Sequence, residues 1–141
     1  MDRTILEIKG KSMEDGKIIW LTGQTGSGKT TLAKKFYELF GMGTIVLDED
    51  VLVREDIIWE PSMDGGWIRN LRTAHLAKLL AEQGYYIIVA SKAPFVKLRK
   101  IIKEITHCTF FYLTHNDYPN DPNRPYEAAV EAEIIVNRKE D

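Results

Sequence analysis

One glycine-rich run constrains this chain more than anything else in it. Gly23, Gln24, Thr25, Gly26, Ser27, Gly28, Lys29 and Thr30 fill in full the pattern GxxxxGK followed by Ser or Thr. Each part has a physical task. The glycines let the backbone curl until successive N–H groups point inward at an anion. A helix that starts directly afterwards adds its positive end to the same anion. Lys29 then reaches the outer phosphates of a nucleoside triphosphate such as ATP. The Thr30 hydroxyl is placed to ligate Mg2+, and Thr31 follows in the first helical turn. Such a loop works only between a strand and a helix, so the flanking residues test it.

They pass. KIIWLT, from Lys17, is a short apolar run that ends at the glycine turn and reads as a buried strand. Lys29 to Phe40 reads as a helix with Leu32, Ala33, Phe36, Leu39 and Phe40 facing a core, stopped by Gly41 and Gly43. TIVLDED is a second buried strand with an acidic end. Trp67 to Gln83 carries Ile68, Leu71, Leu76, Leu79 and Leu80 at helical spacing before Gly84. YYIIVAS is a third strand, Pro94 opens a helix to about Ile105, and HCTFFYLT is a fourth strand. The turn-rich HNDYPNDPNRP leads to a helical turn and a last short strand, EIIV. Alternating strands and helices imply a parallel α/β sheet covered on both faces, with right-handed crossovers. Residues 1–16 are expected to be a leader or an edge strand, and residues 17–141 one domain.

In an open parallel sheet, ligands sit outside the carboxyl ends of the strands. Asp48 stands at that end of the second strand, where it can hold Mg2+ through water or orient an acceptor hydroxyl. The plainer alternative is an idle, solvated acidic loop. Ser91 ends the third strand, which makes Asp48 the better carboxylate for the metal side. Lys29 and Asp48 are therefore the candidate catalytic residues, and Thr30 and Asp48 the candidate metal ligands.

A formal charge of −2 argues against a general nucleic-acid binder, although a few focused cations can still hold an anionic small molecule. Cys108 is the only cysteine, which excludes an internal disulfide and a cysteine-based zinc site, and its apolar surroundings suggest core packing. No run approaches the roughly 20 apolar residues of a membrane helix, and residues 1–16 contain no signal-peptide-like stretch. The expectation is a cytoplasmic protein with no membrane partner. His75 is expected to be partly buried and structural, while His107 and His115 lack partners at metal spacing. Trp59 and Trp67 bracket a loop and are expected to pack it down rather than stack on a base.

These residues resemble the adenylylsulfate kinase family, which phosphorylates the 3′-hydroxyl of adenosine 5′-phosphosulfate with ATP. IIWLTGQTGSGKTTLA resembles that family's first strand and loop. VLDED resembles its VLDGD, with Asp48 and Asp50 on the two aspartates and Glu49 in the place of the glycine. NLRTAHLAKLLAEQGYYIIVAS resembles its substrate-side helix and third strand, SKAPF its Ser-Pro-Tyr segment, and PYEAAVEAEIIVN its closing stretch. The resemblance implies a three-layer P-loop kinase fold with a central parallel sheet of strand order 2-3-1-4-5 flanked by helices. It implies ATP and Mg2+, a small nucleotide-like acceptor, and a homodimer. The acceptor set it suggests is Asp50, Arg54, Arg69, Asn70, Arg72, Ser91 and Phe95.

The departures fall on the acceptor side. The family carries an arginine three places after its second aspartate, where this chain has Val53, with Arg54 one step late. Aligned without a gap, Arg69 falls on the family's asparagine and Leu71 on its first arginine, leaving only Arg72 in place. The segment from Thr114 to Tyr126 is too short for the family's basic lid, and Arg124 is its only cation. Arg54, Arg72, Lys92, Lys97 and Arg99 are the nearest cations to compensate. Two alternatives stand beside adenylylsulfate phosphorylation: a kinase for a different small acceptor, and an ATP-binding regulatory module without transfer.

Overall fold

The computed structural model describes residues 17–55, 66–115 and 125–137. Strand β1 (Ile18–Thr22) is buried along its whole length and sits at the centre of the sheet. Helix α1 (Lys29–Phe40) follows the glycine loop and leads to β2 (Thr44–Asp48) and a short helix α2 (Glu49–Arg54). After residues 56–65 come α3 (Trp67–Glu82), β3 (Tyr86–Ala90), α4 (Val96–Thr106), β4 (Thr109–Leu113) and the short β5 (Ile134–Val136). The strands form one parallel sheet in the order β2-β3-β1-β4-β5, the order expected.

Side chains alternate across a strand, and this alternation divides the core in two. Ile19 and Leu21 of β1 face α1, joined by Ile88, Ala90, Phe111 and Leu113 and covered by Leu32, Ala33 and Phe36. Phe36 meets Phe111 edge to face at 5.6 Å, so truncating Phe36 to Ala would cost about 3–5 kcal/mol. Ile18 and Trp20 face the opposite way, against Ala74 and Ala77 of α3 and Leu98 and Ile102 of α4. The result is three layers, with the carboxyl ends of β1, β2 and β3 along one rim.

Two element boundaries differ from the sequence expectation. The second strand ends at Asp48 and a helix begins at Glu49, where TIVLDED reads as continuous strand. Asp48 itself terminates the strand: its Oδ1 accepts the Asp50 N–H at 3.0 Å, and Glu49 and Asp50 place negative charge in the first turn. Helix α4 begins at Val96 rather than Pro94. Its cap comes from far along the chain, because Glu127 Oε1 accepts the Val96 N–H at 2.7 Å.

Residues 125–133 form a strap with one turn, fastened by a buried arginine. Arg99 is 1% exposed. Its fork donates to both carboxylate oxygens of Glu131 (3.0 and 3.3 Å) and to the carbonyls of Ala93 (2.8 Å) and Glu127 (2.8 Å). Its guanidinium also lies 5.5 Å from the centre of the Tyr126 ring. The Tyr126 hydroxyl meets Thr22 Oγ1 at 2.9 Å, which ties the strap to the end of β1 just before the glycine loop. Cys108 is fully buried, and burial pushes its thiol up to about 12, as expected of a core residue. Residues 1–16, Trp59, Arg124 and most of the expected lid segment lie outside the described residues.

Candidate active site

The glycine loop opens where β1 ends. A side chain on Gly23 would strike Ser27 Oγ at 2.6 Å and the Leu113 carbonyl at 2.7 Å, so only glycine fits there. Gly26 (φ 82°) and Gly28 (φ 98°) take left-handed conformations that turn the chain into α1. Helix α1 has no side-chain cap at its N-terminus and no acidic residue in its first turn. Its first-turn N–H groups therefore lack an acidic or capping side chain, the arrangement that suits an incoming anion.

These residues form one wall of a cavity of about 820 Å3. Thr25, Gly26, Gly28, Lys29, Thr30 and Thr31 line it on the loop side; Asp48, Glu49, Asp50, Val53 and Arg69 face them, with Ala90, Lys92, Pro94 and Pro125 completing the wall. Lys29 Nζ donates to the carbonyls of Gly23 (2.8 Å) and Gln24 (3.0 Å), which holds its ammonium over the loop. Burial lowers its pKa to about 8, outweighing the attraction of Glu49, Asp50 and Asp48. Thr30 Oγ1 donates to Asp48 Oδ2 at 2.7 Å, so the hydroxyl of the loop and the carboxylate of β2 meet across the cavity.

The cavity separates the candidate residues. Gly23, Gln24 and Ser27 shape the loop from behind rather than line it: Ser27 is fully buried, and its N–H is spent on the turn, donating to Gln24 O at 3.1 Å. Of the candidate acceptor residues, Asp50 and Arg69 line the cavity. Asn70 and Ser91, both 1% exposed, lie beneath it, with Ser91 Oγ donating to Asn70 Oδ1 at 2.6 Å and Asn70 Nδ2 to the Gly66 carbonyl at 2.9 Å. Phe95 packs against Trp67 with ring centres 6.2 Å apart, which matches the packing expected of Trp67. Arg54 and Arg72 are exposed and do not line the cavity; Arg54 lies 3.7 Å from Glu55.

Arg99 is a correction: the amphipathic turn of α4 points it into the strap instead of toward a substrate. Lys97 is exposed on the same helix and does not line the cavity. His75 is exposed rather than partly buried, because the inward positions of that helical turn are taken by Ala74 and Ala77. Sequence reasoning gave no role to Glu49. Its signal was a carboxylate in the place of a glycine, between two aspartates.

The donor set fits Mg2+. Thr30 and Asp48 offer hard oxygen atoms, and Mg2+ commonly takes one or two protein oxygens and draws the rest from phosphates and water. Among the described residues no group of three His, Cys, Asp or Glu side chains is placed to hold a metal.

The three-layer fold, the phosphate loop and the facing carboxylate define a P-loop protein of the kinase type. The adenylylsulphate kinase family model matches residues 15–134, and the chain belongs to that family. It is 38% identical over 96 residues to the adenylyl-sulfate kinase of Paraburkholderia xenovorans, covering 64% of this chain and 52% of that one. It is 31% identical over 140 residues to the adenylyl-sulfate kinase of Bacillus licheniformis, covering 91% and 70%. The fold is similar to an APS kinase of Mycobacterium tuberculosis solved in complex with AMPPNP and APS. That pair has a TM-score of 0.67 and 20% identity, over 89% of this chain and 90% of that one. The chain spans 52%, 54% and 56% of the length of three of the curated relatives it matches.

Proposed function

We propose that this chain transfers the γ-phosphate of ATP to a hydroxyl of a small nucleotide-like acceptor, with the 3′-hydroxyl of adenylylsulfate as the acceptor. The observation that carries the reading is the meeting of Thr30 and Asp48 at 2.7 Å, in the cavity that Lys29 also lines. Family membership supports it.

In this reading the loop N–H groups and Lys29 hold the triphosphate. Thr30 and Asp48 hold Mg2+, which when bound spreads the charge of the phosphate oxygens. One Asp48 oxygen accepts from the α2 backbone and the other from Thr30, and in this reading that held carboxylate receives the acceptor proton. The acceptor oxygen bonds to the γ-phosphorus while the bridging O–P bond breaks and ADP leaves; the hydroxyl proton passes to Asp48 or to water. Asp50 and Arg69 position the acceptor. The near-neutral charge favours a small molecule over nucleic acid. Among the described residues no helix is long and apolar enough to cross a membrane. A buried free Cys108 suits a reducing, cytoplasmic setting, and a paired subunit would help exclude water from so open a cavity.

The test is ADP release from Mg-ATP with and without adenylylsulfate, using Lys29→Ala as the blank. The reading requires strong stimulation that the variant loses. ATP binding without stimulation would instead favour a different acceptor or a regulatory module.

A further inference from the structure

Two of the departures from the family pattern touch each other. Glu49 falls on the glycine of the resembled VLDGD run and, in the ungapped register, Arg69 falls on the family's asparagine; Arg69 Nε lies 3.5 Å from Glu49 Oε2. Both side chains line the acceptor half of the cavity and both are largely enclosed, 24% exposed for Arg69 and 17% for Glu49. The other Glu49 oxygen, Oε1, lies 3.1 Å from Ser91 Oγ and accepts from the Lys92 N–H at 3.4 Å; the single Ser91 proton is shared between Glu49 and the nearer Asn70 Oδ1. Ser91 is in turn held by Asn70 at 2.6 Å. The carboxylate thus rests against the segment just after β3, on the Lys92 N–H and a share of the Ser91 proton, and presents its remaining oxygen to Arg69. The charges on the cavity wall comprise the cations Lys29, Arg69 and Lys92 and the carboxylates of Asp48, Glu49 and Asp50.

We infer that Glu49 is a specificity-determining residue that holds Arg69 as an internal counter-anion, so that an anionic group of the acceptor gains Arg69 only by displacing it. The inference rests on the phosphotransferase reading of the same cavity. An arginine already facing a fixed carboxylate offers less to a sulfate or phosphate group than one facing water, because the incoming anion must first separate an enclosed pair. Hydroxyl groups of an acceptor meet no such competition and can donate to the same carboxylate. Glu49 therefore biases the site toward acceptors read through their hydroxyls and weakens the grip on their anionic end.

The experiment is isothermal titration of adenylylsulfate into the full chain loaded with Mg-ADP, for the wild type, Glu49→Gln, Arg69→Gln and the double variant. Glutamine keeps an acceptor oxygen for Ser91, removes the charge and turns the atom facing Arg69 into an N–H donor, which no longer pairs with it; melting curves check that each variant is folded. Glu49→Gln is expected to bind roughly five- to tenfold tighter, and the gain is expected to vanish in the double variant. Equal affinity in wild type and Glu49→Gln, or the same gain without Arg69, would overturn the inference. If adenylylsulfate binds none of the four, the proposed acceptor is wrong, and inorganic sulfate then serves as the probe. An Arg69-dependent gain in sulfate affinity upholds the role of Glu49, and its absence overturns it.

Discussion

The side of the cavity proposed for the nucleotide is made mainly of backbone, and the side proposed for the acceptor mainly of side chains. On the nucleotide side, Gly23 has no room for a Cβ, Gly26 and Gly28 take positive φ, and α1 begins with no side-chain cap and no acidic residue in its first turn. Almost any change of residue there breaks the geometry, so the motif reads the same wherever it is found. On the acceptor side the same fold presents Glu49 and Asp50 from the first turn of α2 and Arg69 from the first turn of α3. Those side chains can change identity while the backbone stays put. The contrast explains why the ATP half keeps its motif whole while the departures gather opposite it.

The largest effect should fall on the nucleotide side. Lys29→Ala is expected to lower kcat/KM by roughly a hundred- to a thousandfold. The same variant should melt no lower than the wild type, because a lysine whose pKa is depressed by burial costs the fold stability while charged. A variant that loses both activity and melting temperature would mean that Lys29 is structural.

Arg99→Ala sharpens the comparison, since it removes a buried cation that touches no part of the cavity wall. It should cost about 3 kcal/mol of stability by stranding its carbonyl and carboxylate partners. A chemical denaturation curve measures this, and the ATP Kd of the folded variant should stay within about twofold of wild type.

A pH series comes next. The folded Lys29 pKa, about 8, lies below its ordinary 10.5. The charged form binds phosphate, so ATP affinity should be flat below pH 8 and weaken above it, by up to about tenfold per pH unit. For stability the sign is opposite: the folded protein releases this proton first, so Lys29 makes stability rise with pH between about 8 and 10.5. An affinity unchanged to pH 9.5 or so would contradict the assignment.

The smallest effects separate the arginines. Arg69→Ala should change the acceptor KM severalfold with little change in the KM for ATP. Arg54→Ala and Arg72→Ala, exposed and off the cavity wall, should shift either KM by less than about twofold. A larger loss from Arg72 than from Arg69 would restore the family's register.

The strand, glycine loop and helix around residues 23–30 were legible in the sequence, because each has a local signature, and the sheet order followed from the family resemblance. Asp48 was legible for the same reason, as the acidic end of a buried strand. Its role as the cap of α2 was not, since a helix of six residues leaves too little periodicity to read. Arg99 was misread because surface and buried arginines look alike in a string: its partners, Glu131 and the carbonyls of Ala93 and Glu127, lie on the distant strap or in the loop before α4. Glu49 was passed over because its meaning is a contact with Arg69, twenty residues away. Local signatures report backbone geometry, whereas the contacts of Glu49 and Arg99 are tertiary pairs.

The most direct measurement follows a radiolabelled terminal phosphate from ATP through the reaction with adenylylsulfate present. If the two halves serve one transfer, the label moves into the acceptor with the wild type and stays in ATP with Lys29→Ala and Asp48→Asn. Label appearing only as inorganic phosphate, or moving equally well with Asp48→Asn, would contradict the account.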